Sequence, residues 1–373
     1  MSAGTIINSL LGLIFYIFIA RLLGPSDFGN FSLLLGFGLL AAEVGDLGLG
    51  SALVRFGSAS ELRGVFTITF IQRIILFLVF LPVSFMLGNN FYLSALVATS
   101  LQLLSLITQT FLARQKYVFF VMTNIFGNLC RLGLVLALMW QLKIENTLLI
   151  FSGANFLAFS LGFILLMVYF KKNMFSLTEA KQMFVPVWNF SRWVALSFGI
   201  SSIGSKIDIP IIYALAGSSV TGIYSSAQKL VSVFSQVAVS VEGVFAPKFS
   251  AQTENRRFFK EYVTISILVS AGLLVLPVFS GLFISLIFGT KYISAVPVFN
   301  LMAIAFIPFF LAGPSSASIL YRFGKSNYNL IVSVGQLAVG VLGYFIFVPV
   351  LGAIGAAVAT LFINLFGLLA YIK

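Results

Sequence analysis

The chain has 373 residues, 60% of them apolar and only 9% charged, with a formal net charge of +12. Soluble domains carry roughly 25% charged residues, and a chain this apolar cannot bury enough of its surface to live in water, so a soluble fold is excluded. Histidine is absent and Cys130 is the single cysteine, which excludes histidine metal sites, histidine proton relays, Ser-His and Cys-His catalysis, and an intrachain disulfide.

Apolar runs recur at the length a helix needs to cross a bilayer, about 20 residues. With 42 Phe and 10 Pro, they read as long helices rather than the alternating strands of a barrel. Charged and turn-rich breaks divide the chain into twelve predicted spans, at 3–23, 29–50, 65–87, 92–113, 118–140, 147–170, 190–216, 220–246, 262–288, 295–320, 327–348 and 352–372. The first run has no basic start, and Ala20-Arg21 leads into more helix, so it reads as a retained span rather than a signal peptide. Only Gly217-Ser218-Ser219 separates the seventh span from the eighth. The expected fold is all-α and polytopic.

Loop charge sets the expected orientation. One set of loops holds Arg55, Arg63, Arg114, Lys116, Lys171, Lys172, Lys181, Lys248, Arg256, Arg257, Lys260, Arg322 and Lys325; the other holds Arg21, Lys143 and Lys291. The basic set is expected to be cytoplasmic, and an even number of spans puts both termini on that side. The same asymmetry accounts for the net charge without nucleic acid. Segments 171–189 and 247–261 read as the two longest loops.

Gly24-Pro-Ser-Asp-Phe-Gly29-Asn-Phe31-Ser32 is echoed by Gly217-Ser-Ser-Val-Thr-Gly222-Ile-Tyr224-Ser225, both G-x4-G-x-[FY]-S at an offset of 193. Arg55-Phe56 and Lys248-Phe249 close the following spans at the same offset. The spacing covers six spans, so the two halves share one orientation. Two pseudo-symmetric six-helix lobes around a central cavity are therefore expected, 1–175 and 176–373. The motif reads as a tight outer turn. Gly and Pro end one helix, Ser26 or Asp27 caps the next, and the second Gly permits close helix packing.

These stretches resemble a known family. "ARLLGPSDFGNFSLL" with "GDLGLGSALVRF" (Gly45 to Phe56) is similar to the start of the polysaccharide-repeat-unit, or O-antigen, flippases of the multidrug/oligosaccharidyl-lipid/polysaccharide exporter superfamily. "GSSVTGIYSSAQKL" (Gly217 to Leu230) resembles the start of that family's eighth helix, and "VPVLGAIGAAVATLFIN" (Val348 to Asn364) its last turn. The resemblance implies a MATE-like, twelve-helix protein of the bacterial inner membrane. It also implies alternating access that moves an undecaprenyl-diphosphate-linked oligosaccharide to the outer leaflet. Lipid II flippases of the same superfamily carry arginines in the first helix, whereas residues 1–20 here have no charge, which speaks against a peptidoglycan precursor. The partners expected are the lipid-linked substrate, membrane lipids, a polysaccharide polymerase and a chain-length regulator; no cofactor or metal is expected.

Such a substrate needs a polar lumen with cations for its phosphates. Five helical stripes fit: Thr69 and Arg73; Gln102, Ser105 and Gln109; Asn124, Asn128 and Arg131; Ser197, Ser201, Ser205 and Asp208 beside Lys206; and Ser225, Lys229, Ser232 and Gln236. The substrate-binding set is Arg73, Asn124, Asn128, Arg131, Ser201, Ser205, Lys206, Lys229 and Gln236. For Arg73 and Arg131 the alternative is a buried structural pair, and for Lys206 a pair with Asp208. Arg192, near a helix end, reads as snorkelling. Glu43, Asp46 and Asp208 are the ion-coupling candidates; Asp46 and Glu242 could instead pair with Arg55 or Lys248. Pro210, Pro277, Pro308 and Pro314 fall inside spans as kinks or hinges.

Gly324-Lys325-Ser326 mimics the end of a P-loop, but Ile319 occupies the first glycine position, so an ATPase is set aside. A membrane glycosyltransferase or polymerase would need acidic or histidine residues and large outer loops, so an enzyme is not expected. A cation-coupled multidrug exporter of the same superfamily is the alternative. Mid-span cations outnumber carboxylates, which favours an anionic substrate.

Overall fold

The computed structural model describes residues 2–57, 61–88, 90–170, 174–250, 255–323 and 325–372. Lys171, Lys172 and Gly324, and the side chains of Ser197 and Lys248, lie outside the described residues. In chain order the α-helices are α1 (Ser2–Gly45), α2 (Leu49–Phe56), α3 (Leu62–Met86), α4 (Phe91–Ala113), α5 (Tyr117–Leu138), α6 (Ile144–Phe170), α7 (Leu177–Lys206), α8 (Asp208–Ser250), α9 (Asn255–Phe288), α10 (Ala295–Ala317), α11 (Ser326–Leu351) and α12 (Ala353–Ile372). Large apolar side chains such as Met86, Val278 and Val350 stand almost fully exposed, as a lipid-facing surface requires. The protein is a multi-pass membrane protein.

Among the described residues ten helical stretches are long and apolar enough to cross a membrane. Two are longer than one crossing. Ile7–Gly45 has 39 residues, or about 58 Å of helix against a hydrocarbon core of about 30 Å. It breaks at Gly24 (φ 78°, ψ 173°), and α8 breaks at Gly217 (φ 80°, ψ −179°). Both are positive-φ turns that glycine adopts at no steric cost. Pro25 opens the helix after the first break, where its missing N–H is not needed. Divided there, the stretches give the twelve crossings expected.

The two expected long loops are largely helical, which corrects that reading. Residues from Leu177 onward belong to α7, while α8 runs to Ser250 and α9 begins at Asn255. Lys171, Lys172 and Lys181 made the first segment read as a cytoplasmic loop. It folds because α3 holds it: the Arg63–Glu179 ion pair is 3.2 Å long, Ser176 N donates to Thr67 Oγ1 at 2.9 Å, and a Cβ on Gly64 would stand 2.8 Å from the Glu179 backbone.

The chain forms two compact units, Met1–Phe15 with Leu33–Lys206, and Tyr16–Ser32 with Ile207–Lys373. In the first, α4 packs on α3, α6 and α2 around a core of Leu53, Phe66, Leu106 and Phe111, with Phe56, Phe119, Phe159 and Phe163 half-buried against it. Interlocking phenylalanines replace the hydrophobic drive that lipid does not supply. In the second, α10 and α12 are central.

The echoed motif has a structural cause inside the second unit. The two turns cross each other. A Cβ on Gly29 would stand 2.7 Å from the carbonyl carbon of Ser218 and 2.9 Å from Gly222 N; one on Gly222 would stand 2.8 Å from the carbonyl carbon of Pro25 and 3.0 Å from Gly29 N. Ser26 Oγ and Ser218 Oγ lie 2.9 Å apart, and Tyr213 donates to Asn30 Oδ1 at 2.8 Å.

Candidate functional site

The second crossing is interrupted. α1 ends at Gly45, Leu47 (φ 50°) and Gly48 (φ 70°) turn the chain, and α2 starts at Leu49. Such a break orphans helical carbonyls and amides, which must find partners in hydrocarbon. Gln72 Nε2 donates to Gly45 O, and Gln102 Nε2 to Ala42 O at 3.2 Å. Asp46 Oδ2 accepts Gly50 N at 3.0 Å, serving the start of α2. Gly48 lets the turn sit against α7: a Cβ there would stand 2.6 Å from Ser191 O.

The carboxylates at this break are matched one to one with cations. Asp46 Oδ1 accepts from Arg73 Nη2, and Arg73 is 1% exposed. Glu43 accepts from Lys206 Nζ through both oxygens, at 2.6 and 2.7 Å, in a half-exposed pair. Two sequence expectations are corrected here. Lys206 pairs with Glu43, not Asp208, because Glu43 lies on the same unit's α1 within reach of the α7 end. Asp46 pairs with Arg73, not Arg55, whose guanidinium instead stacks 4.5 Å from the Phe190 ring centre.

Arg131 lies at the centre of an amide network on α5 and α6. Its Nη1 donates to Asn128 Oδ1 at 2.9 Å, its Nη2 donates to Asn155 Oδ1, and its guanidinium stands 4.0 Å over the Phe151 ring. Asn155 Nδ2 in turn donates to Ser100 Oγ at 3.0 Å, and Asn128 Nδ2 to Asn8 Oδ1 at 2.6 Å. Of the α5 stripe, Asn128 and Arg131 thus come together, while Asn124 donates to Phe120 O on its own helix. The remaining polar residues divide. Thr69, Gln102 and Ser225 are buried, Ser105, Gln109 and Ser232 are half-buried, and Ser201, Ser205 and Gln236 are exposed.

In the second unit, Asp208 opens α8, where the helix dipole favours an anion; Pro210 follows in that first turn, where it breaks no hydrogen bond. Asp208 is buried, and its oxygens accept Ile209 N at 2.8 Å, Tyr224 Oη at 2.9 Å and Gln228 Nε2 at 2.6 Å. Lys229 is close enough to attract it and stands 4.1 Å from the Tyr16 ring centre. Tyr344 and Thr360 extend the cluster through hydrogen bonds to Tyr224. Arg192 is exposed beside Trp193, 5.5 Å from the ring centre, where it can snorkel.

The sequence reading missed Gln72, Asn155, Tyr224 and Gln228. Asn155 had a signal, being a lone amide in an apolar run, whereas Gln228 sits in the polar stretch Ser225-Ser226-Ala227-Gln228-Lys229. Tyr224 was read only as part of the turn motif, and Gln72 was given no reading.

Two curated relatives match. The teichuronic acid biosynthesis protein TuaB of Bacillus subtilis (strain 168) is 26% identical over 329 residues, covering 82% of this chain and 66% of the relative. An uncharacterized membrane protein in the cps region of Klebsiella pneumoniae is 24% identical, covering 97% and 77%. The chain thus spans about two thirds to three quarters of these relatives. The fold is that of the lipid II flippase MurJ in an inward closed conformation (TM-score 0.78, 16% identity, 100% of this chain and 86% of that one). It is also that of an inward-facing multidrug resistance MATE family transporter of the MOP superfamily (TM-score 0.76, 14% identity, 98% and 93%). Residues 1–253 match the polysaccharide biosynthesis protein family, and the chain belongs to that family.

Proposed function

We propose that the protein is a flippase that carries a lipid-diphosphate-linked oligosaccharide, the repeat unit of a surface polysaccharide, across the bacterial cytoplasmic membrane. The observation that carries the reading is how Arg131 and Lys229 are held. Amide oxygens and an aromatic ring orient the first, and an aromatic ring the second. Amide and ring partners of this kind fix the direction of a cation, so that a phosphate can meet it as a charge-assisted partner. Exposed Ser201, Ser205 and Gln236 supply hydroxyl and amide groups that can replace sugar hydration. The polysaccharide biosynthesis family supports the pathway, as does the relative named for teichuronic acid biosynthesis.

In this reading two six-helix lobes, 1–175 and 176–373, rock around a central cavity, and both termini are cytoplasmic. Glu43, Asp46 and Asp208 remain the proposed groups for H+ or Na+ coupling. Asp208 is the best placed, since its hydrogen bonds come from Ile209, Tyr224 and Gln228 and Lys229 acts on it only through space, while Glu43 and Asp46 are in direct ion pairs. A polymerase and a chain-length regulator are the proposed protein partners.

The test is surface polysaccharide in cells lacking the gene, complemented with wild type, Arg131→Ala or Arg131→Lys at matched expression. The expected result is loss of polymer and internal accumulation of its lipid-linked unit. Arg131→Ala should not rescue, and Arg131→Lys should rescue poorly, since an ammonium cannot bridge Asn128 and Asn155 as the guanidinium does. Unchanged polymer with raised drug sensitivity would overturn the reading in favour of the exporter.

A further inference from the structure

The first unit carries a groove that the residues discussed so far do not account for. Two close backbone contacts seat α7. A Cβ on Gly64 of α3 would stand 2.8 Å from the Glu179 backbone, and one on Gly48, at the helix break, 2.6 Å from Ser191 O. About 18 Å of helix separates Glu179 from Ser191. Along that interval lies a groove of about 540 Å³, walled by Ile68, Ile71 and Ile75 of α3, Phe184 and Trp188 of α7, and Leu47 of the break. Ile71, Ile75, Phe184 and Trp188 are exposed, so the groove opens sideways to lipid. Its volume lies within the roughly 300–1,000 Å³ of ligand sites.

The walls are apolar except for Lys181 near the start of α7, and Gln72 and Ser191 further along. No carboxylate lines the groove. Lys181 is exposed, and among the described residues no Asp or Glu forms an ion pair with it. The neighbouring carboxylate, Glu179, is held by Arg63 instead, at 3.2 Å. The groove thus presents one uncompensated cation at an apolar surface. At the far end, Gln72 Oε1 and Ser191 Oγ are buried without a hydrogen-bond partner among the described residues. A hydrocarbon chain does not match these polar atoms, so they mark the limit of the apolar stretch.

An apolar groove open to a bilayer fills with hydrocarbon. From Lys181 to Ser191 the helix rises about 15 Å, half of a hydrocarbon core of about 30 Å, which is the depth of one leaflet. The dimensions therefore suit one lipid chain whose head lies at Lys181, and the single cation suits a head with one negative charge. A polyprenyl diphosphate carries more charge than one lysine answers and a chain longer than the groove. We propose that the groove between α3 and α7 binds one anionic phospholipid of the bilayer, its chain lying along Trp188 and its phosphate at Lys181. The lining contains neither Arg131 nor Lys229, and the claim concerns a resident lipid, so it stands or falls apart from the flippase reading.

The test uses Trp188 as the reporter. The full chain carrying Trp140→Phe and Trp193→Phe is reconstituted into vesicles of phosphatidylcholine with brominated chains, which quench tryptophan on contact. Unbrominated phosphatidylglycerol is then titrated in, with unbrominated phosphatidylcholine as the reference. The expected result is recovery of emission with phosphatidylglycerol favoured roughly fivefold, the worth of one lysine near an anionic lipid. The preference should vanish in Lys181→Gln and persist in Lys181→Arg. Equal quenching of both variants in brominated phosphatidylcholine alone shows that Trp188 still meets lipid. A chain whose sole tryptophan is Phe279→Trp, at an exposed position of α9, should show no preference. Emission of Trp188 that follows mole fraction alone overturns the proposal. So does a preference that survives Lys181→Gln or is matched at position 279. Stronger displacement by undecaprenyl phosphate than by phosphatidylglycerol also overturns it, and assigns the groove to the carrier lipid instead.

Discussion

Replacing Gly29 by Ala isolates the crossing of the two glycine turns. In a helix with free surroundings Gly→Ala stabilises by roughly 0.5–1 kcal/mol, so any loss belongs to the crossing. The added methyl would stand 2.7 Å from the carbonyl carbon of Ser218 and 2.9 Å from Gly222 N, with Ser218 O closer still. Carbon contacts settle near 3.5–4.0 Å. All three neighbours are backbone atoms, so no rotamer change relieves the overlap, and the two helix starts must separate by about 1 Å. Overpacking costs about 1–3 kcal/mol, and backbone overlap belongs at the upper end. A cost of about 3 kcal/mol is roughly a hundredfold shift against the closed crossing. The assay is oxidative cross-linking of Ser26→Cys with Ser218→Cys, whose hydroxyls are 2.9 Å apart, in a Cys130→Ala background. The pair should cross-link readily in the parent and at least tenfold more slowly with Gly29→Ala. Gly153→Ala, with nothing within 4 Å of the new methyl, should leave the rate unchanged. Combining Gly29→Ala with Gly222→Ala should cost less than the sum, because one separation relieves both overlaps. Parent-like cross-linking in Gly29→Ala, or full additivity in the double variant, would refute the crossing.

The helix breaks and ion pairs yield further expectations. Asp46→Asn should destabilise the purified protein by about 3–5 kcal/mol, because it strands the buried Arg73 charge; adding Arg73→Met should recover part of the loss in a denaturation series. Glu43→Gln should cost less than about 1 kcal/mol, since its pair with Lys206 is half-exposed, and a loss as large as that of Asp46→Asn would contradict the structure. Gln102→Leu should cost about 1–3 kcal/mol by orphaning the carbonyl of Ala42, without changing total charge. If the proposed flippase function holds, Asn155→Leu should lower the amount of surface polysaccharide while leaving protein abundance largely intact, because it removes one of the two amide oxygens that aim Arg131.

Much of this molecule is legible in its residues. Length and polarity of the apolar runs dictate membrane helices, because lipid admits no unpaired backbone, and the G-x4-G echo marks two corresponding turns. Even the double length of α1 was readable from Gly24-Pro25 in its middle. The amphipathic start of α7 was not. Its charges look like those of a loop, and only its seat on Gly64 and Arg63 of α3 makes it a helix. Pairing was the other thing the sequence could not decide. Glu43 and Asp46 are visible as two carboxylates one turn apart, but their partners lie 163 and 27 residues away, and only packing selects Lys206 and Arg73 over nearer cations. The same holds for the glycine turns: local physics asks for flexible, narrow residues at each, while the reason both are needed is that each occupies the space where the other's side chain would be.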